Sequence, residues 1–296
     1  MTQTNGFNNN EKDESMTTSQ TKPASLASVA SARTLSQPGT SLLGTGLETR
    51  GVHAWFGKKH VLSDISLDFA AGTVTALIGP SGCGKSTLLY VLSTMDTAYD
   101  GELNIDEEKV TGYDLDRLAM IRNEKIGFVF QFHYLLAEFT CLKNVMIPAL
   151  RLGKYSREEI EHRAMEKLKM LGLQDQALKL SSKLSGGQQQ RIALARALVF
   201  EPKVLLMDEP LGALDKQLRE QMQYEIKHIH DRLGVTVVYV THDQIEAMTL
   251  AHRVAILEKG VLQQLDTPAK IYNDPANLFV AQFIGSPPMN VIRGSL

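Results

Sequence analysis

The chain has two cysteines among its 296 residues, Cys83 and Cys141, and a single tryptophan. No apolar run approaches the roughly 18 residues that a membrane-spanning helix needs. Two cysteines exclude a disulfide framework and offer no metal-ligand spacing, which favours a reducing, cytosolic compartment. An excess of one charge is also missing. Lys and Arg number 31 against 33 Asp and Glu, for a net charge of -2, and the pI is near 6.5. The electrostatic footprint of a nucleic-acid partner is therefore absent. If the protein works at a membrane, another chain must make the crossing. What is present, 43% hydrophobic and 22% charged residues, suits an ordinary globular chain of one large or two small domains.

Residues 1–45 differ in kind. About half are Ser, Thr, Asn or Gln, with too few branched apolar or aromatic residues to form a core, so a disordered polar tail is expected. The rival is a targeting peptide, since Leu26 to Ala32 ends in an Ala-Ser-Ala-like pattern. That segment lacks a basic leader and a continuous apolar core. Deleting the tail is expected to leave the chemistry of the rest intact.

Beyond Gly51 the sequence is punctuated into strands and helices. Val61-Leu62 and Ile65 to Phe69 read as short strands, and Thr73 to Ile78 as a buried one. Val204 to Met207 and Val235 to Val240 are further apolar strands. Helices are expected from Lys85, over much of 132–183, and over Ile192 to Val199. Leu218, Met222, Ile226, Ile229 and Leu233 mark another helical face that ends at Gly234. Ser156 and Glu159 have the spacing of a capping box. Thr267-Pro268 opens a short helical stretch running to about Ile284. Apolar strands alternating with amphipathic helices predict an α/β fold, a mostly parallel sheet covered by helices on both faces.

Gly79-Pro80-Ser81-Gly82-Cys83-Gly84-Lys85-Ser86-Thr87 fits the pattern G-x-x-x-x-G-K-[ST] between a predicted strand and a predicted helix. Its glycines let backbone N–H groups curl around a phosphate at a helix N-terminus. Lys85 reaches the outer phosphates and Ser86 offers a hydroxyl to Mg²⁺. Together they predict ATP and Mg²⁺ as ligands. Cys83 stands at a spacer position of this loop. Asp208 and Glu209 close the strand Val204 to Met207, where Asp208 would hold the metal and Glu209 would polarise an attacking water. Leu184-Ser185-Gly186-Gly187-Gln188 precedes a helix and makes a second anion site by the same physics. Two half-sites about a hundred residues apart suggest a head-to-tail dimer that encloses ATP between the phosphate loop of one chain and Ser185-Gly186-Gly187 of the other.

In this order, the segments from about residue 48 to 293 resemble the ATP-binding subunit of ABC transporters. The resemblance implies a P-loop ATPase domain over 46–296. It would have a small antiparallel N-terminal β subdomain, an inserted helical subdomain at about 132–190 and a C-terminal helical extension at about 267–296. It implies that Phe56 stacks on adenine, with Trp55 as the alternative. Gln131 would sense Mg²⁺ and the membrane subunit, Asp215 in Gly212-Ala213-Leu214-Asp215 would cross the dimer interface, and His242 would contact the γ-phosphate. Many relatives carry serine where Gly212 stands. The remaining histidines, among them His53 and His60, lack ligand-spaced partners and read as structural or surface residues.

The likeness is a patchwork. Gly51 to Ser86 is most similar to phosphate-importer ATPases, and Arg122 through Phe139 to lipoprotein-releasing ATPases. Ser185 to Asn290 is most similar to importers of sugars, glycerol phosphate or polyamines. Relatives of that last type continue into a β-rich regulatory domain, which a chain ending at Leu296 is expected to lack. The implied partners are a second copy of the chain and transmembrane permease subunits with a solute-binding protein, on the cytoplasmic face of the membrane. Two other classes compete. A soluble ATPase acting on nucleic acid would bring a coiled-coil arm or zinc site, and neither is visible in the sequence. A small-molecule kinase would leave Leu184 to Gln188 without a role.

Overall fold

The computed structural model describes residues 46–285 except residue 213, together with residues 289 and 290. The polar tail over 1–45 lies outside the described residues, as does most of the chain after 285. A four-stranded antiparallel sheet, in the order β2-β1-β4-β5, contains β1 (Leu47–Phe56), β2 (Lys59–Phe69), β4 (Tyr99–Ile105) and β5 (Glu108–Lys109). A six-stranded sheet contains β3 (Val74–Ile78), β6 (Ile126–Val129), β7 (Val204–Asp208), β8 (Thr236–Val240), β9 (Arg253–Glu258) and β10 (Val261–Asp266). Its order is β10-β9-β3-β8-β7-β6, parallel throughout except for the antiparallel edge strand β10.

Strict alternation along the parallel strands builds two cores, one on each face of this sheet. Val74, Ala76 and Ile78 of β3 join Leu205 and Met207 of β7 and Val237 and Tyr239 of β8 on one face. Leu77, Val204, Leu206, Val238 and Val240 point the other way, toward the antiparallel sheet and α1 (Lys85–Leu92). Each fully buried Leu, Ile or Val contributes about 1.5–3 kcal/mol relative to an exposed one, so this two-sided burial carries most of the fold's driving force.

The other helices are α2 (Leu115–Lys125), α3 (Cys141–Leu152), α4 (Arg157–Met170), α5 (Gly186–Leu198), α6 (Lys216–Leu233), α7 (Gln244–Leu250), α8 (Pro268–Asn273) and α9 (Leu278–Phe283). Each of these eight begins at a side-chain cap: Asp114, Thr140, Ser156, Ser185, Asp215, Asp243, Thr267 and Asn277. Helices α3 and α4 pack on α5.

Three local expectations change. The two short strands near Val61 and Ile65 are one strand, because a bulge at Asp64 (φ 52°) absorbs an extra residue between Leu62 and Ile65. Ser156 caps α4, but the reciprocal half of the box is missing because the Glu159 carboxylate accepts from Arg163 Nε at 2.7 Å instead. A complete box forms at Ser185 and Gln188. The expected helical stretch before 141 is loop, held by Asn144, whose side chain bonds the backbone of Leu136, Phe139 and Thr140.

Gly127 in β6 lies against α5. A Cβ there would sit 2.5 Å from the Ala197 carbonyl oxygen and 3.0 Å from Pro202. Gly127→Ala is expected to destabilise the fold by about 1–3 kcal/mol, the usual cost of overpacking, measured as a lower urea midpoint at unchanged slope.

Candidate active site

In parallel sheets, ligands bind beyond the carboxyl ends of the strands. Four such ends converge: β3 runs into the loop 79–84, β6 into Gln131, β7 into Asp208-Glu209 and β8 into Thr241-His242. The loop after β3 depends on its glycines. A Cβ on Gly79 (φ 151°) would lie 2.1 Å from the Leu257 carbonyl oxygen, and one on Gly84 (φ 103°) 2.6 Å from Leu62. Helix α1 is the exception to the capping rule: Gly84 stands at its N-cap with no side-chain bond to the first-turn N–H groups. Those donors suit an anion. Lys85, only 7% exposed, donates from Nζ to the carbonyls of Gly79 (2.9 Å) and Pro80 (3.1 Å), which holds its charge inside the loop.

Ser86 Oγ donates to Asp208 Oδ1 at 2.9 Å. Burial pushes the Asp208 carboxyl upward, Glu209 adds to the shift, and the bond from Ser86 opposes it. Gln131 Nε2 donates to Glu209 Oε2 at 3.1 Å, and His242 Nδ1 lies 3.6 Å from the same oxygen. Glu209 is one of the few non-glycine residues in the left-handed region, at φ 45°, a conformation that accumulates at functional sites. Its N–H donates to Val240 O and its carbonyl accepts from Gly212 N, which fixes the turn. Ser86 and Asp208 bring two hard oxygen donors together, a type that Mg²⁺ takes with its remaining positions left to water and phosphate. No cluster of three or more His, Cys, Asp or Glu fit for a metal occurs among the described residues, so a dedicated all-protein cage is not on offer there.

The other sequence-predicted residues sit apart from this group. Ser185 and Gly186 are exposed at the start of α5, while Leu184 and Gly187 are buried and Gln188 is half-buried. Gly187 admits Leu218 of α6, since a Cβ there would fall 2.1 Å from Leu218 Cδ2. Asp215 caps α6 by accepting from Leu218 N. Phe56 is 83% exposed at the end of β1, whereas Trp55 is 37% exposed and stacks on His60. His53 and His60 meet after all, with Nδ1 and Nε2 3.3 Å apart across the β1–β2 pair, because a bulged hairpin brings together residues that sequence spacing keeps separate.

Sequence reasoning missed Tyr90. It lies four residues after Ser86 on α1 and so shares a face with it. Burial raises its hydroxyl above the usual range, and Asp208 adds to the shift. The groups behind His242 were missed as well. Thr241 Oγ1 donates to Glu246 Oε2 at 2.9 Å, and Arg219 Nη1 pairs with Asp243 Oδ2 at 3.4 Å.

Residues 62–212 match the family model described as ABC transporter. The chain belongs to the ABC transporter family. It is 43% identical over 250 residues to the sn-glycerol-3-phosphate import ATP-binding protein UgpC of Salmonella typhimurium, covering 84% of this chain and 68% of that one. It is 42% identical over 245 residues to the trehalose/maltose import ATP-binding protein MalK of Thermococcus litoralis, 82% and 66% of the two chains. To the spermidine/putrescine import ATP-binding protein PotA of Vibrio vulnificus it is 43% identical over 235 residues, 79% and 60%. Among solved structures, the dimeric ABC cassette MJ0796 has a TM-score of 0.69 at 37% identity, covering 75% of this chain and 98% of that one. The same cassette in a post-hydrolysis state is bound to ADP and Pi. The cassette cbiO1 of Clostridium perfringens reaches a TM-score of 0.71 at 27% identity, 78% and 91% of the two chains. The chain is thus an ATP-binding and ATP-hydrolysing ABC subunit with the P-loop cassette fold. No helix among the described residues is long and apolar enough to cross a membrane.

Proposed function

We propose that this subunit energises import of a sugar, glycerol phosphate or polyamine through a separate permease, from the cytoplasmic face of the membrane. The observation that carries the catalytic part is the convergence of the Ser86–Asp208 bond with the Gln131–Glu209–His242 group at one sheet edge. In this reading the loop from Gly79 to Thr87 binds the phosphates, with Lys85 reaching the outermost. Ser86, Asp208 and Gln131 hold Mg²⁺, which when bound neutralises charge on the outer phosphates. Glu209 orients and polarises the attacking water, His242 contacts the γ-phosphate, and Phe56 stacks on adenine. Leu184 to Gln188 serves ATP on a second copy, whose phosphate loop it would face in a head-to-tail dimer, and Asp215 lies at that interface. Exposed Ser185 and Gly186 at a helix start, apart from the chain's own phosphate loop, suit such a role. The dimeric relative MJ0796 supports the same assembly. The importer names carried by the relatives support the direction and the cargo class.

An open cleft of about 470 Å³, lined by residues of α2, β6, α3 and α5 and by Phe130 and Tyr134, suits a permease helix. Phe128, Phe130 and Tyr134 line it with aromatic rings, and Arg122, Arg151 and Arg196 with basic groups. Arg196 and Arg122 are already engaged with backbone carbonyls of His133, Tyr134 and Thr94. Arg151 is exposed and is the better probe. Arg151→Glu is expected to cut recovery of the chain with membranes severalfold while nucleotide binding persists, measured by co-sedimentation and nucleotide titration. Purifying the chain from membranes, identifying the permease that accompanies it and assaying solute uptake in vesicles charged with ATP tests the whole reading. Recovery with an exporter would overturn the proposed direction.

A further inference from the structure

Glu246, on the first turn of α7, is buried to 3% exposure although nothing in the catalytic reading uses it. One carboxylate oxygen, Oε2, accepts the Thr241 hydroxyl, and the same hydroxyl oxygen accepts from Asp243 N at 3.0 Å. Thr241 and Asp243 are the two neighbours of His242, so this bond fixes both ends of the residue that faces Glu209. The other oxygen, Oε1, has no protein partner, and neither does Arg219 Nε. Both residues line a cavity of about 10 Å³, walled also by Glu209, Thr241, His242 and Asp243. That space and polarity suit one bridging water. The charged and titratable groups facing Glu246 among the described residues are Asp243 and His242 on its own segment, Tyr239 on β8, Glu209 after β7 and Arg219 on α6.

We infer that Glu246 is a positioning residue for ATP hydrolysis: through its bond to Thr241 it locks the Thr241–Asp243 segment and sets His242 against Glu209. The inference rests on the roles proposed for Glu209 and His242. Burial pushes the carboxyl up to about 7, against the bond from Thr241 and the charge of Arg219 and with Asp243 and Glu209 adding to the rise. Below that value the acid is protonated and adds no charge beside Glu209. As pH rises through it, a buried anion forms next to two carboxylates and competes with Asp243 for Arg219, which loosens the segment. ATP brings further negative charge to the same edge, so the transition lies higher in kcat than in kcat/KM.

The test is steady-state hydrolysis of MgATP by the full chain from about pH 6 to about pH 9, on either side of that transition. Glu246→Ala is expected to lower kcat by roughly tenfold to a hundredfold with KM for ATP little changed, the scale of a misplaced catalytic group. Glu246→Gln keeps an acceptor for Thr241 and stays neutral. It is expected to restore most of that loss and to remove the alkaline limb that the parent shows. If Glu246→Ala does not fold, the comparison of parent with Glu246→Gln decides alone. Superimposed pH profiles for those two, or a Glu246→Gln rate as low as the Ala variant's, would overturn the inference. Glu209→Gln in the same buffers keeps the two readings apart, because parental turnover there would remove the catalytic assignment whatever Glu246 does.

Discussion

Lys85→Ala is expected to raise the dissociation constant for ATP by about a hundredfold or more, measured by nucleotide titration of the full chain. A charge-assisted bond to a phosphate oxygen is worth about 1.5–3 kcal/mol. Leaving the anion in a buried loop without its counter-charge takes the loss to about 3–5 kcal/mol. The structure adds a second cost. Lys85 Nζ ties the carbonyls of Gly79 and Pro80 together, so its removal also loosens the loop that presents the uncapped N–H groups of α1. Thermal unfolding should change little by comparison, because the core beneath α1 is built by Leu88, Leu89, Val91 and Leu92, which the substitution leaves in place. Unchanged nucleotide affinity would mean that the loop is not the phosphate site.

The phosphate loop was legible because its chemistry is local: glycine spacing, a lysine and a hydroxyl occupy one turn and need no distant partner. The buried strands were legible for a related reason, since two-sided burial writes an unbroken apolar run, as in Val204 to Met207. Residues 99–129 held no such run. There β4, β5 and α2 are half-exposed, and β6 is four residues long with a glycine inside. Their placement is decided by pairing with β1 and β7 rather than by their own pattern. The same distinction separates the parts of the site. Ser86 and Asp208 could be named from their motifs, but their hydrogen bond spans 122 positions. Glu246 gave no signal at all, because an acid at the start of a helix ordinarily reads as a favourable charge on the dipole. Its surroundings come from distant segments, Tyr239 of β8 donating to its carbonyl and Arg219 of α6 sharing its cavity. The histidine pair at His53 and His60 was hidden likewise, since it depends on the β1–β2 register, which sets Trp55 opposite His60 and His53 two residues away on the same strand.

Glu209→Gln is expected to bind ATP with near-parental affinity, to hydrolyse it about 10²–10⁴-fold more slowly, and to elute as a dimer in saturating ATP. The rate loss is that of removing a general base positioned at the reacting water. The side chain keeps its size, and the amide oxygen can still accept from Gln131 Nε2, which now meets Glu209 Oε2 at 3.1 Å. The backbone cost is the same in both proteins, because φ near 45° is imposed by the bonds to Val240 and Gly212 and not by the carboxylate. A folding defect is therefore not the expected cause. Dimer trapping follows from two effects that act together. In the proposed head-to-tail dimer, slow hydrolysis preserves the ligand that the phosphate loop would share with the Ser185-capped helix of a second copy. Loss of one negative charge also removes repulsion between this side chain and the γ-phosphate in the closed state. Single-turnover kinetics and size-exclusion chromatography with and without ATP separate the two consequences. A slow variant that stays monomeric would keep Glu209 as the base and remove the shared site. A fast variant that dimerises would keep the shared site and move the base elsewhere, with His242, 3.6 Å from Glu209 Oε2, as the next residue to substitute.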